Sequence, residues 1–446
     1  MVIKFIQKYF QSQWEQTSNA PISLFRAVFG FMMFAGIVRF WLNGWIETQY
    51  IKPKYFFPFY GFEWLKPLPS IYMYIVFSLM ALAALCVCLG LFYRLSIWIF
   101  FFLFSYIELL DKTNYLNHYY FIILLAFLMG FIPANKRFSL DVKFKIVEPT
   151  YSITSIYPSL VKWQMTILYF FAGVAKLNYD WLFNAQPLSL WLPAKSNLPL
   201  IGPFMYKKWF HFLVSWTGAI YDLVIPFMLL NKKWVYLAYF FVIVFHLLTF
   251  YLFPVIGMFP FIMIVGTLIF LPDKFHENIL GFFEKPKNNL NKNEANLKYK
   301  KIIKWGCLIY FSWQVFLPFR YVFYPGNLFW TEQGFRFSWR VMLMEKSGTA
   351  FFYVKDKKSG NSIEVTNSDF LTKQQEKMMA TQPDMILQYA VILGDFYKKQ
   401  GLDPSVYVQS FVNLNGKGSK LFINPNVDLY QQKESFKNKN WILPIK

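Results

Sequence analysis

The sequence predicts a mainly α-helical, polytopic membrane protein of about nine transmembrane helices, followed by an α+β extramembrane domain. Three observations carry this. The 446 residues are 56% hydrophobic and 22% aromatic but only 15% charged, too apolar for a soluble chain of this size. The apolar residues come in long blocks of about twenty, the length that crosses a bilayer, rather than in amphipathic stripes. Beyond about Phe319 the composition turns aqueous, and strand and turn signals take over.

Taken in order, spans are expected at 21–45, 71–92, 96–110, 118–132, 160–176, 209–230, 234–253, 254–271 and 302–317. Pro254 leaves two counts open: a turn there gives nine spans, a kink gives eight. The first apolar run starts near residue 21 and lacks a small-residue cleavage site, so it reads as a span rather than a secretory signal.

Charge sets the orientation. Lys4, Lys8, Arg94, Lys136, Arg137, Lys143, Lys145, Lys232, Lys233 and the basic stretch 274–304 all fall on one side if there are nine spans. By the positive-inside rule that side is cytoplasmic, together with the N-terminus. Lys52, Lys54, Lys66 and Lys207 lie opposite, so the rule acts here as an excess. The net charge of +21 is thus spread as membrane topology, not gathered as a nucleic-acid-binding patch.

Two domains follow: a transmembrane domain at 1–320, with a flexible cytoplasmic loop at 273–301, and an extracytoplasmic domain at 321–446. In the second, 351–355 and 362–366 flank Lys358-Ser359-Gly360-Asn361 and read as a hairpin. Residues 368–399 read as two helices broken near Gln382-Pro383 and stopped by Gly401. Segments 406–413 and 420–424, around Gly416-Lys417-Gly418, read as a second hairpin.

Several chemistries are excluded. There is no P-loop, dinucleotide glycine motif, Gly-x-Ser-x-Gly elbow or His-Glu-x-x-His pair. Cys86, Cys88 and Cys307 are scattered within apolar segments, which suits small hydrophobes and not a zinc site. No metal is expected.

What remains is a set of ionisable groups at membrane depth, where they are costly and by default functional. Lys176 ends an apolar run. His118 begins the fourth span beside Asn117, and His246 sits two-thirds along the seventh. On the topology above all three fall in the outer half of the bilayer. An amine desolvated among Phe, Tyr and Leu favours its neutral, proton-accepting form. Its partner in a lipid-facing pocket would be an apolar molecule with an acidic hydroxyl, such as a quinol. Plainer readings also hold at this point: Lys176 snorkelling to the interface, His118 satisfying a helix start, and His246 bonding a neighbouring helix. Asp222, inside the sixth span, needs a partner. Arg26 and Arg39 read as snorkelling or paired.

The motifs as strings point further. Leu110-Asp111-Lys112-Thr113 with Asn117-His118-x-Tyr120, and Tyr169-Phe-x-Ala-Gly-Val-x-Lys176-Leu-x-x-Asp180-Trp181, resemble the vitamin K-dependent gamma-carboxylase family. So do His246 with Ile256-Gly257-Met258-Phe259, Trp330-Thr331 with Ser338-Trp339, and Pro425-x-Val427-Asp428. The resemblance runs in the same order from about Ser23 to the C-terminus, and is that of a bacterial homologue of the horizontally transferred transmembrane (HTTM) domain type.

The resemblance implies an enzyme, a vitamin K-dependent glutamyl carboxylase and epoxidase. A lysine deprotonates reduced vitamin K, here a hydroquinone of the menaquinol kind, and the anion captures O2. The oxygenated species removes a glutamyl γ-proton, CO2 traps the carbanion, and the vitamin leaves as its epoxide. Lys176 matches the family's lysine base and His118 the histidine that supports the anions. Asn117, His246, Asp222, Tyr120 and Asp180 match supporting positions, and Trp330, Phe335 and Trp339 the aromatic block that handles substrate. The implied partners are a glutamate-containing peptide or protein and the lipid bilayer, with no nucleic acid; the oligomeric state is unknown. The implied location is the bacterial inner membrane, with the C-terminal domain periplasmic.

The chain departs from the animal pattern where substrate is handled. Phe335 stands for a Tyr and Asn426 for an Arg, while Ala175 replaces the first residue of a common Lys-Lys pair. The three cysteines do not reproduce the animal disulfide. Two alternatives therefore stand beside carboxylation: a quinol epoxidase that carboxylates nothing, and a non-catalytic quinone- or lipid-binding membrane protein.

Overall fold

The structure is a computed structural model that describes residues 10–284 and 299–445. Lys4, Lys8 and the central part of the expected cytoplasmic loop lie outside the described residues. Eleven helices form the membrane-body half of the chain. These are α1 (Ala20–Leu42), α2 (Ser70–Leu89), α3 (Tyr93–Leu110), α4 (Asn117–Phe131), α5 (Ile156–Lys176), α6 (Tyr179–Asn184), α7 (Lys208–Leu230), α8 (Val235–Leu252), α9 (Phe259–Thr267), α10 (Asp273–Gly281) and α11 (Lys300–Phe319), besides shorter turns.

All nine segments expected to span are helical, but the expected count of nine does not emerge. Among the described residues six helices are long and apolar enough to cross a membrane: α1, α2, α3, α7, α8 and α11, the last extended to Phe323. A seventh arises if α9 and α10 are taken together, although they bend by 104° at Leu271-Pro272, where proline interrupts the helix. The apolar α4 has only 15 residues. The 21-residue α5 carries Lys162, Gln164 and Lys176, so its apolar content falls short. Pro254 marks a turn and not a kink: Pro254–Ile256 is a short three-ten turn, Gly257 has φ +68°, and α9 folds back on α8.

Residues 273–281, expected as flexible loop, form α10 instead. Arg137 holds this helix through Glu277 at 2.7 Å and the chain just beyond it through Glu284. Thr17 Oγ1 donates to Asp273 at 2.9 Å. Arg26 neither snorkels nor pairs with an acid. It is fully buried and donates to the carbonyls of Val87, Cys88, Ala134 and Phe138, satisfying chain ends that α2 and α4 leave open. Arg39 is exposed, with its guanidinium over Trp45 at 4.9 Å.

A short antiparallel pair, β1 (Gln16–Ser18) with β2 (Ser152–Thr154), ties the chain before α1 to the chain before α5. The C-terminal domain is α+β. Its antiparallel sheet has the order β4 (Ser362–Val365), β3 (Lys346–Asp356), β5 (Pro404–Leu414), β6 (Ser419–Leu421). Both expected hairpins are present, at β3–β4 and β5–β6. The long central pairing of β3 with β5, in register from Lys346↔Leu414 to Asp356↔Pro404, joins segments far apart in sequence. Two helices, α12 (Lys373–Met379) and α13 (Pro383–Lys399), lie between these strands in the chain. A capping box of Thr372 and Gln375 starts α12. Helix α13 buries Met385, Ile386, Tyr389, Ala390 and Leu393, and packs on β5.

The two halves share cores. Trp339 belongs to the membrane-body core, while Ala175, Trp181, Leu188, Leu192 and Ala219 join the core of the C-terminal domain. The polar turn after α3 docks there too. Lys112 pairs with Asp384 at 2.8 Å, Arg336 with the same carboxylate at 2.7 Å, and Gln375 Nε2 donates to Asp111 at 3.1 Å.

Candidate active site

Close approach of α5 and α7 builds the centre. A Cβ on Gly173 would stand 2.7 Å from Leu223 Cγ and 2.8 Å from its backbone N, so glycine lets the two helix backbones meet. One turn further on, Lys176 Nζ donates to Asp222 Oδ2 at 2.5 Å and to Ala172 O at 3.4 Å. Both side chains of the ion pair are about nine-tenths buried. Asp222, which needed a partner, has the lysine as that partner.

Trp181 covers the pair. Its indole N–H donates to Ser215 O at 2.8 Å, and Ser215 Oγ donates back to Trp181 O at 2.5 Å. These reciprocal bonds clamp α6 to α7 and hold the ring 5.4 Å from Nζ, within cation–π range.

Tyr169 precedes Lys176 by seven residues and so lies on the same face of α5, about 10 Å away at 1.5 Å per residue. Its hydroxyl is 2.9 Å from His246 Nε2 on α8. His246 is 2% exposed, and its Nδ1 is buried without a hydrogen-bond partner among the described residues. The ring of Phe259 lies 5.8 Å from the imidazoles of both His246 and His118. The polar groups thus form a chain through the membrane body. Lys176–Asp222 comes first, then Tyr169–His246, then His118 beyond Phe259.

The other expected site residues have different settings. Asn117 Nδ2 donates to Arg340 O at 2.8 Å, and Tyr120 donates to Gln314 at 3.3 Å while its ring stacks 5.1 Å from Trp339. Both hold the seam between the body and the segment that begins the C-terminal domain. Trp339 is 1% exposed, with its indole N–H unpartnered among the described residues. Asp180 accepts from Lys417 at 2.7 Å, Asn415 at 3.0 Å and Asn184 at 3.2 Å. Desolvation pushes its carboxyl up, but these bonds hold it below the usual carboxylate range. Trp330 is buried in the C-terminal core, its N–H donated to Leu443 O at 2.7 Å. Phe335 is half-buried beside Phe329.

Sequence reasoning did not single out Tyr169, Trp181, Ser215, Gln314 or Arg340. Tyr169 had a usable signal in its seven-residue spacing from Lys176. Trp181 stands in the same motif as Lys176; Ser215, Gln314 and Arg340 are set by long-range packing and had no signal.

A quinol has an aromatic body and two acidic hydroxyls. The Lys176–Asp222 pair, the orphaned Nδ1 of His246 and the rings of Trp181, Tyr169, Phe245 and Phe259 form a donor set and apolar shell that suit such a group. Two cavities border this region. One, of about 190 Å³, lies against the end of α5 and is lined by Val174, Ala175, Leu177 and Arg340 among others. The second, of about 60 Å³, lies between α1, α2 and α4 and is lined by Met33, Phe40, Phe77, Tyr119 and Met258 among others. Lys176, His118 and His246 line neither cavity.

Comparison with known proteins accords with this arrangement. Residues 14–275 match the model of the HTTM domain, and residues 299–446 match that of the vitamin K-dependent gamma-carboxylase, lumenal domain. No solved structure matches the chain. The two matches follow one another along the membrane body and the domain docked on it, and the chain belongs to the vitamin K-dependent gamma-carboxylase family of HTTM-domain membrane proteins.

Proposed function

We propose that this membrane protein oxidises a reduced vitamin K-type quinol, menaquinol in a bacterial inner membrane, with O2 to the epoxide, and couples this to carboxylation of glutamyl side chains by CO2. The observation that carries the reading is the Lys176–Asp222 pair, buried under Trp181 in a chain of this family. When bound, the quinol supplies the oxidation that drives removal of a glutamyl γ-proton.

The side chains supply proton handling and enclosure. With its amine neutral, Lys176 Nζ would take the proton of an acidic hydroxyl, and the carboxylate of Asp222 would stabilise the ammonium formed. Tyr169 fixes the ring of His246 through Nε2 and leaves Nδ1 to face a second polar group. His118 supports negative charge from across Phe259. Trp181 and the surrounding rings exclude water, which would quench a strong base. The excess of Lys and Arg in alternate loops favours nine crossings, with the N-terminus cytoplasmic and the C-terminal domain outside.

The test is quinone epoxide formation by purified protein in detergent, supplied with reduced vitamin K and O2. Epoxide made by the wild type and lost in Lys176→Ala supports the base assignment; epoxide retained in Lys176→Ala overturns it. Labelled CO2 entering a glutamyl peptide then separates carboxylase from epoxidase. Phe335 and Asn426, which depart from the animal pattern, favour a second reading in which the quinol is oxidised without carboxylation. That reading predicts epoxide formation indifferent to peptide and CO2. A non-catalytic binding protein predicts no epoxide at all from folded wild type.

A further inference from the structure

The cavity of about 190 Å³ at the end of α5 is far larger than the roughly 10–15 Å³ one water needs, and most of its wall is apolar. Phe171 and Val174 present the face of α5 opposite Lys176, Asn178 lines the cavity just beyond that helix, and Pro318 and Phe319 close it from α11. Its polar wall residues are mostly engaged. Asn178 caps α6 through Trp181 N at 3.0 Å, and Asn327 accepts from Phe329 N at 2.9 Å. Ser338 Oγ donates to Gly334 O at 2.8 Å.

Arg340 is the exception. It is 8% exposed, and among the described residues its guanidinium meets one carbonyl, Pro318 O at 3.3 Å, and lies over the ring of Tyr321 at 4.6 Å. Its Nε is buried without a partner among the described residues, as is Nε of the neighbouring Arg320. Among the described residues no carboxylate lies within 4.0 Å of either arginine. Other buried cations are compensated: Lys112 by Asp384, Lys176 by Asp222, Lys346 by Glu332 and Arg137 by Glu277. Arg26 has its set of four carbonyls. Burial pushes Arg340 down to about 10 against the opposing charge interaction and hydrogen bond of Tyr321, and Arg320 adds to the fall, as expected of a cation short of counter-charge. An arginine fork with unused donors at the end of an apolar slot matches a carboxylate on an aliphatic stem.

We propose that this cavity is a carboxylate-anchoring subsite, in which Arg340 takes a side-chain carboxylate of the acidic peptide substrate and holds the peptide against the end of α5. The proposal rests on the glutamyl-peptide reading above. The site lies across α5 from Lys176, so it positions the peptide and does not deliver the reacting carbon. A lipid phosphate is the other anion available at this depth, and the test separates the two.

The experiment is equilibrium binding of a short synthetic glutamyl peptide, and of its glutaminyl counterpart, to the full-length protein in detergent, so it needs no turnover. The wild type is expected to prefer the glutamyl peptide by about tenfold or more, the scale of one charge-assisted bidentate contact. Arg340→Gln is expected to abolish the preference and Arg340→Lys to retain part of it. Val174→Phe, which fills the cavity from α5 and leaves Arg340 in place, weakens binding of the glutamyl peptide; it also keeps the test decisive if Arg340→Gln fails to fold. A glutamyl preference that survives both Arg340→Gln and Val174→Phe overturns the proposal. Absence of any preference in the wild type overturns it as well. Displacement of the peptide by glycerol phosphate at concentrations where glutarate has no effect assigns the site to a lipid headgroup instead. Loss of epoxide formation with glutamyl preference intact would sink the catalytic reading alone.

Discussion

Lys112, in the turn between α3 and α4, donates to Asp384 at the start of α13 at 2.8 Å, with its own side chain only 2% exposed. Arg336 reaches the same carboxylate at 2.7 Å. One acid thus anchors two buried cations across the junction of membrane body and C-terminal domain. Desolvation pushes the Asp384 carboxyl up, but Arg336 and Lys112 outweigh it and hold it well below the usual carboxylate range. Asp384→Asn leaves both cations without a carboxylate and is expected to cost about 3–5 kcal/mol, read as a lower thermal midpoint in detergent.

The same pair sets an acid limit. The folded-state value of Asp384 lies below its unfolded value, so the stabilisation is complete above about pH 4 and fades as pH falls below that. Between pH 7 and pH 3 the wild type should lose thermal stability at the acid end, and Asp384→Asn should show a flatter profile. A variant with the same acid slope as wild type would remove Asp384 from the account.

Asp222→Asn leaves Lys176 desolvated without its counter-ion. Epoxide formation is expected to fall by about 10²-fold or more, on the scale of a lost acid–base contribution, together with a lower thermal midpoint. The double change Lys176→Met with Asp222→Leu replaces the buried ions by apolar volume and should recover much of that stability while remaining inactive. Recovery of stability without activity separates the chemical role of the pair from its structural one.

Gly173→Ala tests how the pair is assembled. The added methyl meets Leu223 Cγ and backbone N inside van der Waals contact, so α5 and α7 must part. The stability cost is expected at about 1–3 kcal/mol, typical of overpacking. Epoxide formation should fall further than stability does, because a hydrogen bond of 2.5 Å does not survive a shift of the helix axes. Equal losses would mean that Gly173 serves packing alone.

Tyr169→Phe removes the hydroxyl that fixes His246 and leaves Nε2 buried without that bond. A cost of about 1–3 kcal/mol is expected for the unsatisfied group, with slower epoxide formation. His246→Phe together with Tyr169→Phe removes both partners and should restore stability but not turnover. The comparison is made by thermal unfolding and by initial rates of epoxide formation.

Much of the local structure was legible. The apolar blocks give the helices of the membrane body, and the Lys358–Asn361 and Gly416–Gly418 turns give both hairpins. The break at Gln382-Pro383 separates α12 from α13. Each is decided by neighbours in sequence, through hydropathy, turn chemistry or a proline ring. The number of spans was less legible, because length and apolarity alone do not say whether α4, α5 and the bent α9–α10 are carried across by their neighbours. The stretch 273–281 read as loop because its composition is polar; Arg137 and Thr17, distant in sequence, make it a helix fixed to the body.

By itself, the sequence determined that this is a membrane protein whose C-terminal part is more polar, which ionisable residues lie within its apolar blocks, and which family its motifs resemble. These are properties of composition and of short strings. Only the tertiary structure decided that Lys176 faces Asp222, that Tyr169 holds His246, that β3 pairs with β5, and that the Asp111-Lys112 turn docks on the C-terminal domain. All four depend on contacts between segments far apart in the chain. Such contacts follow from how closely helices and strands can approach, as Gly173 shows, and not from the order of residues along any one of them.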